Sequence, residues 1–142
     1  MKIIGRRGQG NLGYVRPVLM CPQLGINSPV RMVVDTGASC TVISERDALR
    51  LNIDYSTLTS EPDALGVGGL VKCYSAGQAA LTFKVSRNSW HTERLDSLHF
   101  LKCESDDPIE RLSSLRLSSL LGIDILDRYS VRFTRTKTYL EK

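Results

Sequence analysis

A mainly β fold with one or two short helices is predicted by three stretches of this chain. Met32-Val33-Val34-Asp35-Thr36-Gly37-Ala38-Ser39-Cys40-Thr41-Val42-Ile43 is an apolar run closed by one acid, then a Gly turn, then a second apolar run. Leu65 to Tyr74 sets Gly66, Gly68 and Gly69 at a tip between two extended arms. Leu120-Leu121-Gly122-Ile123-Asp124 ends an apolar run in Gly before a helical turn. Short apolar runs with β-branched residues, bounded by turn residues, are the signature of buried strands. At 142 residues the chain is one domain, large enough to bury a core without disulfides or a structural metal.

Taken in order, residues 1–13 are rich in Gly and Arg, carry little periodic signal and predict an N-terminal arm, partly flexible in the monomer. The folded domain is then 14–142. Tyr14 to Met20 predicts a first strand, held to a sheet edge by Pro17. Cys21 to Pro29 is turn chemistry, Val30 to Asp35 a strand that delivers the acid, and Thr41-Val42-Ile43 its continuation past the turn. Ser44 to Leu51 predicts a short helix with Ser44 as N-cap and with Glu45 and Asp47 at the positive end of its dipole. Extended segments follow over Leu70 to Tyr74, Ala79 to Val85 and Leu95 to Lys102. Glu104 to Pro108 is an acidic turn, and Ile109 to Ser119 is compatible with helix or loop. Val131-Arg132-Phe133 and Thr138-Tyr139-Leu140 flank a closing hairpin turn.

Composition excludes several functional classes. Lys and Arg number 19 against 15 Asp and Glu, a net charge of +4, and they are scattered with no basic run, so no nucleic-acid partner is expected. No stretch approaches the ~20 apolar residues of a membrane span, and the N-terminus lacks the apolar centre of a signal peptide. A soluble, cytoplasmic protein with no membrane partner is the expectation. Cys21, Cys40, Cys73 and Cys103 stand far apart with no Cys-x-x-Cys pair, as free thiols do in a reducing compartment. His91 and His99 have no metal-like neighbour at helical spacing, and Asp106-Asp107 before Pro108 is loop chemistry, so no metal or cofactor is expected.

Asp35 is the candidate catalytic group. A carboxylate at the end of an apolar strand is costly to desolvate unless donors support it. Thr36 and Ser39 offer hydroxyls, and Gly37 lets the backbone turn tightly and bring amide hydrogens to the carboxylate. Asp35-Thr36-Gly37-Ala38-Ser39, with apolar runs on both sides, resembles the Asp-Thr/Ser-Gly signature of aspartic proteases. A single copy in a short chain is similar to the retropepsin-like branch. The order of the three motifs, and a resemblance over about residues 14–142, strengthen this. Residues 1–13 and Glu104 to Ser119 have no clear family counterpart.

The resemblance implies a retropepsin-like acid-protease half-barrel, a homodimer, and hydrolysis of a polypeptide substrate by an Asp dyad made of one Asp35 from each subunit. It implies catalytic roles for Asp35, Thr36 and Gly37, with Thr36 bracing the dyad across the two-fold axis. It implies that Ala38 and Ser39, with Gly66, Val67, Gly68 and Gly69 of a Gly-rich flap, contact substrate. Ser39 stands where retroviral proteases commonly carry an acid, which bears on substrate preference rather than on the chemistry. Asp124 is rejected as the second carboxylate, because it follows an apolar-Gly stretch and has a structural role at a helix start. The alternative is a catalytically weak peptide-binding or regulatory module on the same fold, which would hold an extended peptide by strand addition.

Overall fold

The structure is a computed structural model that describes residues 1–61 and 71–142. The Gly-rich tip, with Gly66, Val67, Gly68 and Gly69, lies outside the described residues. The strands are β1 (Lys2–Arg7), β2 (Gly13–Val15), β3 (Val18–Cys21), β4 (Ile26–Pro29), β5 (Met32–Val34), β6 (Val42–Ile43) and β7 (Thr59–Glu61). They continue as β8 (Val71–Ser75), β9 (Ala79–Ser86), β10 (Ser89–Leu95), β11 (His99–Cys103), β12 (Ser119–Leu121), β13 (Ser130–Phe133) and β14 (Lys137–Glu141). Among the described residues three α-helices accompany them, α1 (Glu45–Arg50), α2 (Pro108–Leu115) and α3 (Ile123–Leu126).

The mainly β expectation holds, and the strands form two sheets among the described residues. One runs β13-β14-β1-β2-β5-β12-β6-β11-β8-β7, the other β10-β9-β3-β4. Their inner faces meet in one core, with Met32, Ile43, Phe100, Leu121 and Leu140 from the larger sheet and Leu19, Leu81 and Phe83 from the smaller. Ile125 and Leu126 of α3 and Ala48 of α1 close its ends. Burial of these apolar faces is the main source of stability.

Local signals explain several elements. Ser44 caps α1, its Oγ accepting from the Asp47 N–H at 3.3 Å. Asp107 caps α2, its Oδ1 accepting from the Ile109 N–H at 2.9 Å, with Pro108 in the first turn. The stretch from Ile109, open between helix and loop, is therefore helical as far as Leu115.

Other expectations are corrected. Where an arm was expected, residues 2–7 form β1, paired with β14 through Ile3↔Leu140 and with β2 through Arg6↔Tyr14. Only Ile3 and Gly5 turn inward there, so the strand shows almost no period in sequence. The segment Tyr14 to Met20 is not one edge strand: the chain leaves the larger sheet after Val15 and enters the smaller at Val18. Pro17, which has no N–H to give a ladder, sits at that switch. Part of the expected turn at Cys21 to Pro29 is β4, and the strand expected from Leu95 is two, β10 ending at Leu95 and β11 starting at His99. Leu98 between them donates to Gly77 O at 2.8 Å and accepts from Ala76 N.

Candidate active site

The site is built where β5, β6 and β12 meet. β12 lies parallel to β5, Leu121 opposite Val34, and antiparallel to β6, Leu120 opposite Val42. The chain thus leaves β5 at Asp35, loops through residues 36–41 and returns on the far side of β12. Asp35 N donates to Leu121 O at 3.1 Å, fixing the strand end. The turn closes with Ala38 N on Asp35 O at 3.2 Å, and the Gly37 N–H reaches the Asp35 Oδ1 at 2.9 Å. The amide donor expected from Gly37 is present. A Cβ on Gly37 would press against that same oxygen at 3.2 Å.

Asp35 is half-buried, and among the described residues no cation pairs with it. Thr36 and Ser39 are exposed, and neither hydroxyl bonds the Asp35 carboxylate. Ala38 is half-buried and its carbonyl accepts from Ile123 N at 2.9 Å. Asp35 faces a cavity of about 600 Å³ whose wall is largely apolar, with Leu12, Tyr14, Val33, Leu101 and Leu120. The loop therefore offers a carboxylate with one hydrogen bond to a groove with apolar walls.

A second tier of contacts holds the loop in place. Gly122 passes so close to Cys40 that a Cβ there would lie 2.4 Å from the Cys40 carbonyl carbon and oxygen. Thr41, fully buried, donates its hydroxyl to the Asp124 Oδ1 at 2.7 Å and accepts from the Gly122 N–H at 3.0 Å. Its own N–H donates to the Asp124 Oδ2 at 3.0 Å. Asp124 is thus committed to bracing the loop against α3. Burial, and then the negative charge of Asp124, push the Cys40 thiol pKa up, so this sulfur beside the loop is held as a thiol.

Two further supports carried no sequence signal. Glu45 Oε2 accepts from the Cys103 N–H at 2.9 Å and from the Ser114 hydroxyl at 3.3 Å. Asp47 Oδ2 accepts from the Ser119 hydroxyl at 2.6 Å, and Ser119 Oγ accepts from the Ser44 N–H at 2.9 Å. These buried acids tie α1 to β11, α2 and β12. Glu45 and Asp47 were legible only as helix-dipole residues, because their partners lie 58 to 72 positions away.

Among the described residues no group of three or more His, Cys, Asp or Glu side chains is placed to hold a metal ion. All four cysteines are unpaired. No helix among the described residues is long and apolar enough to cross a membrane.

The aspartyl protease family model matches residues 24–124. Among solved structures, a retropepsin-like aspartic protease from Rickettsia conorii superposes with a TM-score of 0.62 at 21% identity, over 99% of this chain and 89% of that one. The fold is accordingly retropepsin-like. The protease of EIAV in complex with the inhibitor HBY-793 gives a TM-score of 0.48 at 18% identity, over 85% and 90% of the two chains. No curated protein matches the chain significantly in sequence.

Proposed function

This chain belongs to the aspartyl protease family, and we propose that it is an aspartic endopeptidase whose dyad combines Asp35 of two copies. One observation carries the dimeric form of this reading. Asp124, the carboxylate braced against the catalytic loop, has both oxygens occupied by Thr41, so it is not free to act as the partner. Two-fold symmetry supplies the missing group most simply, since a self-complementary interface brings the same residue to the axis twice.

In that dyad two carboxylates close together share one proton, because like charges ~3 Å apart do not both ionise. The ionised member takes a proton from water as the oxygen attacks the peptide carbonyl, and the protonated member donates to the carbonyl oxygen. Thr36, exposed beside Asp35, is positioned in sequence to brace the pair, and Gly37 holds the carboxylate oriented through its N–H. The apolar groove supports binding of an extended polypeptide, with Ala38 and Ser39 at its catalytic end and Gly66, Val67, Gly68 and Gly69 assigned to a flap that closes over it. Among the described residues β13 is an edge strand, which supports pairing with the second copy. The four unpaired thiols fit a reducing compartment, and we assign the enzyme to the cytoplasm.

The test is peptide-library cleavage by wild type and Asp35→Asn, with dilution and mixing series. Loss of an acid-base group lowers turnover by at least about a hundredfold. Wild-type specific activity should rise with concentration to a plateau, and excess Asp35→Asn chains should suppress it by forming inactive heterodimers. Full activity that is indifferent to both dilution and the inactive partner would rule out the shared dyad. Peptides bound but never cleaved would favour the binding module.

A further inference from the structure

We infer that an arginine-lined groove adjoining the catalytic cleft receives an acidic segment of the polypeptide substrate, an inference that rests on the peptidase reading above. Residues 1–34 carry Lys2, Arg6, Arg7, Arg16 and Arg31 and no Asp or Glu; the first acid in the chain is Asp35 itself. Along the sequence these cations are dispersed. In the fold, β1, β2 and the approach to β5 gather Arg6, Arg7, Arg16 and Arg31 around one cavity of about 470 Å³.

Among the described residues no carboxylate neutralises the groove. Among the described residues none of these four arginines lies in an ion pair, whereas Lys2 and Arg132 nearby both pair with Glu141. Arg6 faces Lys137 directly across the β1–β14 ladder, a like-charge pairing that disfavours the sheet. The Arg7 Nε is buried and has no hydrogen-bond partner. Unpaired buried donors are rare, and Arg7 is one of the residues that line the cavity.

The guanidinium groups are also ordered in advance. Arg31 lies over the Tyr14 ring at 3.8 Å, and Arg7 over Phe133 at 5.1 Å. A Cβ on Gly8 would come within 2.6 Å of the Tyr14 ring and 3.2 Å of Arg31 Nη2, so glycine at this position leaves room for the stack. The Arg7 guanidinium also donates to Thr134 O at 3.5 Å, whereas stacked Arg31, with no hydrogen-bond partner among the described residues, keeps its edge N–H groups open to a planar, two-oxygen acceptor such as a carboxylate.

Position favours a peptide over a polynucleotide. Tyr14 lines both cavities, and Gly8 of the arginine groove is followed by Gln9 and Gly10 of the catalytic one. An extended chain leaving the cleft at this end, at ~3.3 Å per residue, passes from apolar wall to arginines within a few residues. Single-stranded nucleic acid is held by exposed aromatic faces as well as by charge. Here the Tyr14 face is already covered by Arg31.

The experiment uses two peptides that share one apolar core, one extended on both sides by three Glu, the other by three Gln. At about 50 mM salt kcat/KM should favour the Glu peptide about tenfold, through KM, and the preference should shrink to about twofold at about 500 mM. Arg6→Gln/Arg16→Gln changes two exposed side chains and should remove the preference while leaving cleavage of the Gln peptide unchanged. Should that variant fail to fold, the wild-type salt series decides alone. Binding of both labelled peptides to Asp35→Asn separates the two claims. Preferential binding of the Glu peptide without wild-type cleavage upholds the groove and sinks the peptidase. Equal treatment of the two peptides, or displacement of the Glu peptide by an oligothymidylate of equal charge at lower concentration, overturns the inference.

Discussion

Asp35 and Glu93 are both carboxylates on strands of this small domain, and the fold treats them oppositely. Asp35 ends β5, is half-exposed, and accepts one hydrogen bond, from the Gly37 N–H. Glu93 lies within β10, is 4% exposed, and accepts from Lys142 at 2.7 Å, His91 at 2.8 Å, Arg128 at 2.5 Å and the Tyr129 hydroxyl. Burial pushes the Glu93 pKa up, but the hydrogen bonds from Lys142, Tyr129, His91 and Arg128 outweigh it and pull the pKa down to about 2. A carboxylate so thoroughly paired is a fixed anion that ties the smaller sheet to α3 and β14. Asp35, with a single donor and no cation among the described residues, keeps acceptor positions open toward the groove. The same functional group is structural in one setting and the proposed catalytic acid in the other, and what differs is the number of donors the fold aims at it.

The widest break in this contrast comes from disturbing the loop without touching its acid. Gly122→Ala would place a methyl against the Cys40 backbone, where no flexible side chain can yield. Destabilisation of about 3 kcal/mol is expected, and misplacing the acid by an ångström lowers turnover on the order of a hundredfold. Wild-type turnover in Gly122→Ala would show that the close pass does not position Asp35.

Glu93→Gln should give the reverse pattern. It leaves charged partners uncompensated and should cost about 2 kcal/mol, a fall in Tm of roughly 4–8 °C by calorimetry. Activity per folded molecule should stay within about twofold, since Glu93 shares no hydrogen-bond partner with the Asp35 loop. By contrast Asp35→Asn should change stability by no more than about 0.5 kcal/mol. A large Tm loss in Asp35→Asn with none in Glu93→Gln would invert the assignment of the two roles.

Acid titration sharpens the same point. The folded pKa of Glu93 lies below its unfolded value, so its stabilisation is complete above about pH 4.3 and drains away as pH falls toward about 2. Denaturant melts between pH 5 and 2 should show a steeper loss for wild type than for Glu93→Gln, by about 2 kcal/mol over the range. Parallel curves would mean that Glu93 is not the group responsible.

The smallest effect is expected from the brace. Thr41→Val removes a hydroxyl that serves both Asp124 and Gly122, leaving buried groups unpaired at about 1–2 kcal/mol. Turnover should fall several-fold, and Thr41→Ser, which restores the hydroxyl, should recover it. Failure of Ser to rescue would put the loss down to packing rather than to the hydrogen bonds.

Much of the site was legible in sequence because its signals are local. The strand, acid and turn of Met32 to Ser39 lie within a few residues, as do the Ser44 cap of α1 and the glycine step at Gly122 before α3. The rejection of Asp124 as a catalytic partner came from its place after Gly122, and its contacts give it the bracing role instead. The hydroxyls of Thr36 and Ser39, by contrast, looked like ligands of the Asp35 carboxylate and are not, since hydroxyl direction depends on loop dihedrals that composition does not set.

What the sequence by itself determined was the class of fold, the acid and the turn that holds it, because strand period, capping and turn chemistry act over three to six residues. The tertiary structure decided the rest. β1 became a strand mainly by pairing with β14, more than 130 residues away, and Pro17 became a passage between sheets rather than an edge. Glu93 gained its partners from positions 91, 128, 129 and 142, and four dispersed arginines became one charged groove. Charge and hydrogen bonding act through space, so their effects are fixed only when strand order and register have brought the groups together.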